Sequence, residues 1–212
     1  MSVAGLLLAA GAGRRMGVPK ALLRDADGVS MLDRTVDVLF RGGCDSVTVV
    51  LGAGAGQARE LLDGDGWTAD PPVTVVEAAD WDEGMGASLR AGLRSLGAGS
   101  MSELASPADA RREERTGDDV SAALVMLVDL PDVGPAVVRR VLAAGAAPRD
   151  LARATYDGEP GHPVLLGRDH WPHVLDVAVG DRGARDYLAG ASVRRVECGD
   201  LATGRDRDTP TV

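Results

Sequence analysis

Val3-Ala4-Gly5-Leu6-Leu7-Leu8-Ala9-Ala10-Gly11-Ala12-Gly13-Arg14-Arg15-Met16-Gly17-Val18-Pro19-Lys20 is the stretch that decides the architecture. Residues 3–9 form a continuous apolar run, the pattern of a strand buried on both faces of a parallel sheet. The run passes directly into a glycine-rich turn carrying positive charge, an arrangement suited to a phosphate chain. Lys20 is the sole lysine of the 212-residue chain; the other 22 basic residues are arginine, and Ile and Asn are absent. A lysine kept against that drift points to work that a broad planar guanidinium does not do, namely that of a compact charge on a flexible stem.

Outward from this segment, strands and helices alternate. Residues 46–51 and 73–76 read as strands, and residues 122–128 as a very apolar one. Ser30 and Asp33 form a capping-box-like start for a helix that Gly42 and Gly43 stop. A short helix ends near Leu62, another spans residues 88–96, and one over residues 135–144 has proline in its first turn. Weaker strand signals lie at residues 152–156, 164–166 and 193–197, with a helix over residues 183–189. This alternation predicts an α/β fold with helices on both faces of a mainly parallel central sheet and right-handed crossovers. One domain over residues 1–212 is expected, interrupted at residues 97–119 by a segment rich in Gly, Ser, Ala and charge that reads as a flexible insertion.

Composition excludes several classes. Net charge is −9 with no basic run, a poor match to DNA or RNA, where the phosphate backbone dominates affinity. No apolar stretch approaches the roughly 20 residues of a membrane span, and no basic segment precedes the first apolar run, so a cytoplasmic protein without a membrane partner is expected. Cys44 and Cys198 fit neither zinc nor redox spacing and read as buried thiols. With aromatics at 3%, the core is built of Val, Leu and Ala.

The dinucleotide fingerprint fails at Gly11, whose sixth position is Met16, and at Gly52, whose sixth position is Gln57; a P-loop fails because Lys20 lies between Pro19 and Ala21. Asp129 in Val128-Asp129-Leu130-Pro131 follows the most hydrophobic strand, at the edge where open α/β sheets bind ligands. A carboxylate there suits Mg²⁺, which takes one or two carboxylates plus phosphates. The segment from Asp80 to Leu93 places Gly84 and Ser88 at a helix start, where free amides meet a base or phosphate. Further on come Gly161-His162-Pro163, His170-Trp171, and Gly180-Asp181-Arg182-Gly183-Ala184-Arg185, and then Asp206-Arg207-Asp208-Thr209-Pro210. The three histidines lack a zinc spacing.

Residues 8–20 resemble the Leu-Ala-Ala-Gly-x-Gly-x-Arg-Met-Gly-x-x-Lys signature of nucleotidylyltransferases, a family that includes the molybdenum-cofactor cytidylyl- and guanylyltransferases and the sugar-phosphate nucleotidylyltransferases. The later motifs resemble the molybdopterin cytidylyltransferase branch, and the likeness spans nearly the whole chain apart from residues 97–119. Val128 replaces the usual glycine before the aspartate, and Ala79-Asp80 replaces the Asn-Pro that often precedes the tryptophan.

The resemblance implies a three-layer, Rossmann-like nucleotidyltransferase fold with a nucleotide-binding half over residues 1–131 and an acceptor-binding part over residues 132–212. It implies a loop of Leu8, Ala9, Ala10, Gly11, Ala12 and Gly13 wrapping the triphosphate, with Arg15 and Lys20 neutralising it, joined by Gly84 and Ser88. It implies Mg²⁺ on Asp129 with Asp206 or Asp208, and an acceptor held by His162, Trp171, Arg182 and Arg185. The expected reaction joins CTP to molybdopterin with release of pyrophosphate, the product passing to a molybdoenzyme. Cytidine is preferred because Ala10 matches the cytidylyl branch where the guanylyl branch usually has glycine. A different acceptor, such as a sugar or polyol phosphate, and a non-catalytic molybdenum-cofactor chaperone are the alternatives.

Overall fold

The computed structural model describes residues 1–25, 27–64, 67, 73–98 and 120–206. The first half alternates β1 (Ser2–Leu8), α1 (Met31–Gly42), β2 (Ser46–Leu51), α2 (Ala55–Gly64), β3 (Val73–Glu77) and α3 (Met85–Ala98). The second half contains β4 (Val120–Leu127), α4 (Pro135–Ala143), β5 (Leu151–Tyr156), β6 (Glu159–Gly167), α5 (Trp171–Val177), α6 (Arg185–Gly190) and β7 (Arg194–Glu197). The strands form one seven-stranded sheet in the order β3-β2-β1-β4-β6-β5-β7. Only β6 runs against the others, pairing antiparallel with both β4 and β5.

The period-2 alternation of strand side chains divides the core in two. On one face Val3, Leu7, Val47, Val49, Leu124 and Met126 pack against Leu32, Val36 and Leu39 of α1 and Val137, Val138 and Val141 of α4. On the other face Ala4, Leu6, Leu8, Val50, Ala123 and Val125 pack against Leu89 and Leu93 of α3, Trp171 and Val174 of α5, and Leu188 of α6. Two buried faces explain why β1 and β4 read as unbroken apolar runs. The result is the expected three-layer, Rossmann-like fold with a mainly parallel sheet.

Local chemistry sets the helix ends. Ser30 Oγ accepts the Asp33 amide at 3.3 Å at the start of α1, and Gly43, at φ 108°, ends it. Helix α3 begins earlier and ends later than its apolar spacing suggests, so Gly97 and Ala98 belong to its last turn rather than to an insertion. The remainder of the expected insertion, residues 99–119, lies outside the described residues. Cys44 and Cys198 are buried free thiols; burial pushes Cys44 up to about 12 and raises Cys198, which leaves both as thiols at neutral pH.

Candidate functional site

β1 and β4 are parallel neighbours with Leu8 opposite Leu127, so the loops leaving their carboxyl ends emerge side by side. β1 is flanked by β2, reached forward in the chain, and β4, reached much later. This is the strand-order reversal at which open α/β sheets form a ligand crevice.

The loop after β1 folds back on itself. The Gly13 carbonyl accepts the amides of Met16 and Gly17 at 2.8 and 2.9 Å, and the Gly11 carbonyl accepts the Lys20 amide at 2.9 Å. Gly13 has φ +57°, and a Cβ there would lie 1.8 Å from the Val18 carbonyl oxygen. Only glycine fits this turn. The fold-back carries Lys20 to the loop after β4, where its ammonium forms a short ion pair with Oδ2 of Asp129. Asp129 is 3% exposed; a carboxylate buried to that degree requires a cation against it.

The third wall comes from the start of α3. A 3-10 turn over Trp81–Glu83 leads through Gly84, at φ 116°, into the helix. Arg90 of α3 ties this wall together: it donates to the Asp80 carboxylate at 3.0 Å, the Glu83 carboxylate at 3.2 Å and the Ala178 carbonyl at 2.5 Å. Sequence reasoning placed Arg90 in a motif without giving it this bracing role.

The fourth wall is the chain after β7. Oδ2 of Asp132 accepts both the amide and the hydroxyl of Thr203 at 2.6 Å. Gly204, at φ +64°, lies over the Tyr156 ring, where a Cβ would approach to 2.1 Å. Tyr156 in turn donates its hydroxyl to the His162 carbonyl at 2.6 Å, and burial raises its pKa first of all. One buried tyrosine therefore fixes both the His162 backbone and the strand of chain that delivers Asp206.

These walls enclose a cavity of about 510 Å³. Of the residues expected to hold nucleotide, all except Ala9 line it; Asp129 and Asp206 line it too. Ala9 is packed in the core beneath, 1% exposed. Asp208 lies outside the described residues. Two carboxylates lining one cavity with a glycine-rich loop, Asp129 after β4 and Asp206 after β7, form a donor set that fits Mg²⁺ with phosphate oxygens completing its shell. Among the described residues no three His, Cys, Asp or Glu groups gather as a metal cluster, so those phosphate oxygens would have to supply the rest.

A smaller cavity of about 100 Å³ adjoins it, sharing Leu8, Met85 and Asp181. His162, Arg182 and Arg185 line it, together with Arg153 of β5, which sequence reasoning did not single out. Burial first, and then the Arg153 charge, lowers His162 to about 4, so its ring is neutral at pH 7. Arg182 is engaged by Asp186 at 3.1 Å. Trp171 lines neither cavity: it is 4% exposed in the core and donates its indole N–H to the Leu166 carbonyl at 2.9 Å, which takes it out of the expected acceptor wall.

Fold and crevice together define a nucleotidyltransferase-type protein. Residues 5–197 match the family model described as the MobA-like NTP transferase domain, and the chain belongs to that family. A Paenarthrobacter nicotinovorans protein named nicotine blue oxidoreductase is 33% identical over 98% of this chain and 92% of its own length. The bifunctional IPC transferase and DIPP synthase of Rubrobacter xylanophilus is 30% identical over 98% of this chain, which spans only 50% of that protein. The crystal structure of Rv0371c from Mycobacterium tuberculosis H37Rv superposes with a TM-score of 0.70 at 26% identity, covering 99% of this chain and 94% of that one; another structure of Rv0371c is a complex with manganese. A nucleotidyl transferase from Methanothermobacter gives a TM-score of 0.67 at 25% identity over 92% of this chain and 87% of its own. No helix of the described residues is long and apolar enough to cross a membrane.

Proposed function

We propose that this protein transfers CMP from CTP to the phosphate of molybdopterin, releasing pyrophosphate. The observation that carries the reading is the convergence of Lys20 and Asp129, from the loops after two neighbouring central strands, on one cavity lined by a glycine-rich loop. The Lys20 ammonium is the more exposed member of this pair, at the cavity face where a phosphate chain would lie, and the Asp129 carboxylate suits a divalent ion.

In this reading Arg15 and Lys20 hold the β- and γ-phosphates, and amides of the 10–13 turn orient them. Ser88 and Gly84 border the nucleoside end. An acceptor phosphate monoester, with a second pKa of about 6, is already largely a dianion at neutral pH. One of its oxygens attacks the α-phosphorus, the α–β bridging bond breaks, and pyrophosphate leaves with that electron pair. The nucleophile needs no general base, consistent with a His162 ring that, at about 4, is a weak base and with buried thiols that do not line the crevice. The chain's task is to bring two anions together, which is positioning and charge neutralisation. Mg²⁺, held by Asp129 and Asp206, would neutralise charge on the departing phosphates; the manganese complex of the M. tuberculosis relative supports a divalent ion.

The decisive experiment mixes CTP, Mg²⁺ and molybdopterin and measures pyrophosphate, with sugar and polyol phosphates and the other nucleoside triphosphates as parallel arms. Turnover only with another acceptor would keep the transferase and replace its substrate. Binding of cofactor without pyrophosphate release would favour a chaperone that delivers it to a molybdoenzyme, a role that gives Lys20 and Asp129 nothing to do. A second reading draws on the 33% identical relative named nicotine blue oxidoreductase: redox turnover of nicotine blue, with no pyrophosphate formed, would establish it.

A further inference from the structure

Arg153 lies on β5 between Ala152 and Ala154, which point into one core, so its own side chain points to the opposite face with Leu151. There it lines the small cavity beside Val125, Val164 and His162. Its guanidinium is half-buried and donates to the Gly161 carbonyl at 3.3 Å. Its Nε is buried without an acceptor among the described residues. No carboxylate among the described residues pairs with it. Instead its neighbours are cations: Arg195 is its register partner on β7, and burial followed by the Arg195 and Arg185 charges lowers its pKa. Arg185 lines the same cavity and likewise has no ion-pair partner among the described residues. The one carboxylate on this wall, Asp181, pairs with neither.

Like charges aligned on neighbouring strands are destabilising, and a guanidinium with a buried, unmet N–H loses hydration without return. In a chain of net charge −9, an anion seated against these guanidinium groups would offset their repulsion and meet the unpaired N–H. We infer that Arg153 and Arg185 form the acceptor's anion clamp, holding an acceptor's phosphate monoester at the junction of the two cavities. The inference deepens the transferase reading and rests on it for the word acceptor. The alternative is that Arg153 merely braces the β5–β6 hairpin through Gly161.

The test titrates inorganic phosphate into protein already saturated with CTP and Mg²⁺, so that the triphosphate loop is filled, and follows binding by calorimetry. Phosphate is expected to bind the wild type. Affinity should fall by about tenfold or more in Arg153→Gln and in Arg185→Gln, the loss of a charge-assisted contact. Arg153→Lys should recover part of it, which a purely structural brace would not require. CTP affinity unchanged within about twofold certifies the fold of each variant, and Arg185, being exposed, supplies a variant that cannot empty the core. Phosphate affinity equal to wild type in either Gln variant, or no phosphate binding to the CTP-loaded wild type, overturns the clamp. Should CTP fail to bind at all, the transferase reading falls separately. The same titration on nucleotide-free protein then decides the clamp by whether Arg153→Gln weakens it.

Discussion

Lys20 and Asp129, 109 positions apart in the chain, are joined by an ion pair between the loop after β1 and the loop after β4. The pair sets a cation and an anion side by side on the cavity lining. A triphosphate would draw the ammonium toward itself and leave the carboxylate for a divalent ion.

Lys20→Ala should therefore lower kcat/KM for CTP by about 10- to 100-fold, the worth of one charge-assisted contact, with little change in Tm. Lys20→Arg should also be impaired, because the broad fork does not fit beside Gly11, whose α-carbon faces the Lys20 stem: a Cβ there would lie 3.2 Å from Lys20 Cδ. Steady-state kinetics on both variants checks this, and wild-type turnover by Lys20→Arg would remove the argument from the lone lysine.

Asp129→Asn should abolish nearly all turnover and the Mg²⁺-dependent part of nucleotide stabilisation, since an amide leaves the ion weakly held. Thermal shifts with CTP, with and without Mg²⁺, give the readout. An unchanged Mg²⁺ response would place the ion elsewhere.

Asp132→Ala should free the chain at Thr203 by deleting two hydrogen bonds to one carboxylate oxygen. The Mg²⁺ concentration for half-maximal activity should rise by about tenfold, while CTP KM at saturating Mg²⁺ stays nearly constant. A Mg²⁺ titration that superposes on wild type would mean Asp206 has no part in holding the ion.

Glu197 gives a pH prediction. Its carboxylate accepts hydrogen bonds from the Thr155 hydroxyl and the amides of Asp157, Gly158 and Gly199 at 2.8–3.1 Å. The Thr155 bond foremost, and then the amides, pull its pKa from 4.5 to about 2. A depressed carboxylate contributes stability that is complete above pH 4.5 and is lost as pH falls through about 2. The Tm gap between wild type and Glu197→Gln should be constant in neutral solution, narrow below pH 4.5 and close near pH 2. A gap that persists at pH 2 would show that the hairpin anchor does not depend on ionisation.

The first half of the molecule was legible because β1, β2 and β4 are buried on both faces, which leaves apolar runs, and because Gly13 and Lys20 advertise the loop between them. The second half was harder. The strand signal at residues 164–166 marked only the end of β6, since Glu159, Pro160 and Pro163 disguise its start and a reversed strand carries no label of direction. Helix α5 has seven residues and a proline in its first turn, too short for a period to emerge. Trp171 looked like a cavity wall because an aromatic beside a histidine reads the same in the core as at a surface. Arg153 was invisible for the opposite reason: a sequence shows charges, not which of them lack partners.

The reversal of β6 has a consequence for how such a protein changes over time. Because β6 runs backwards, its first residues rather than its last reach the crevice edge, with Val164 opposite Val125 and His162 beyond it toward the end of β4. The wall that would meet the acceptor is thus borne on β5, β6 and the short helices that follow, and the wall that would meet the triphosphate on β1 and β4. Arg153 on β5, His162 on β6 and Arg185 on α6 stand on other elements than the Gly11–Gly13 turn and the Lys20–Asp129 pair. If the proposed acceptor sits on that flank, a lineage could exchange one acceptor for another by altering a few side chains there, while the glycine-rich loop and its ion pair are inherited.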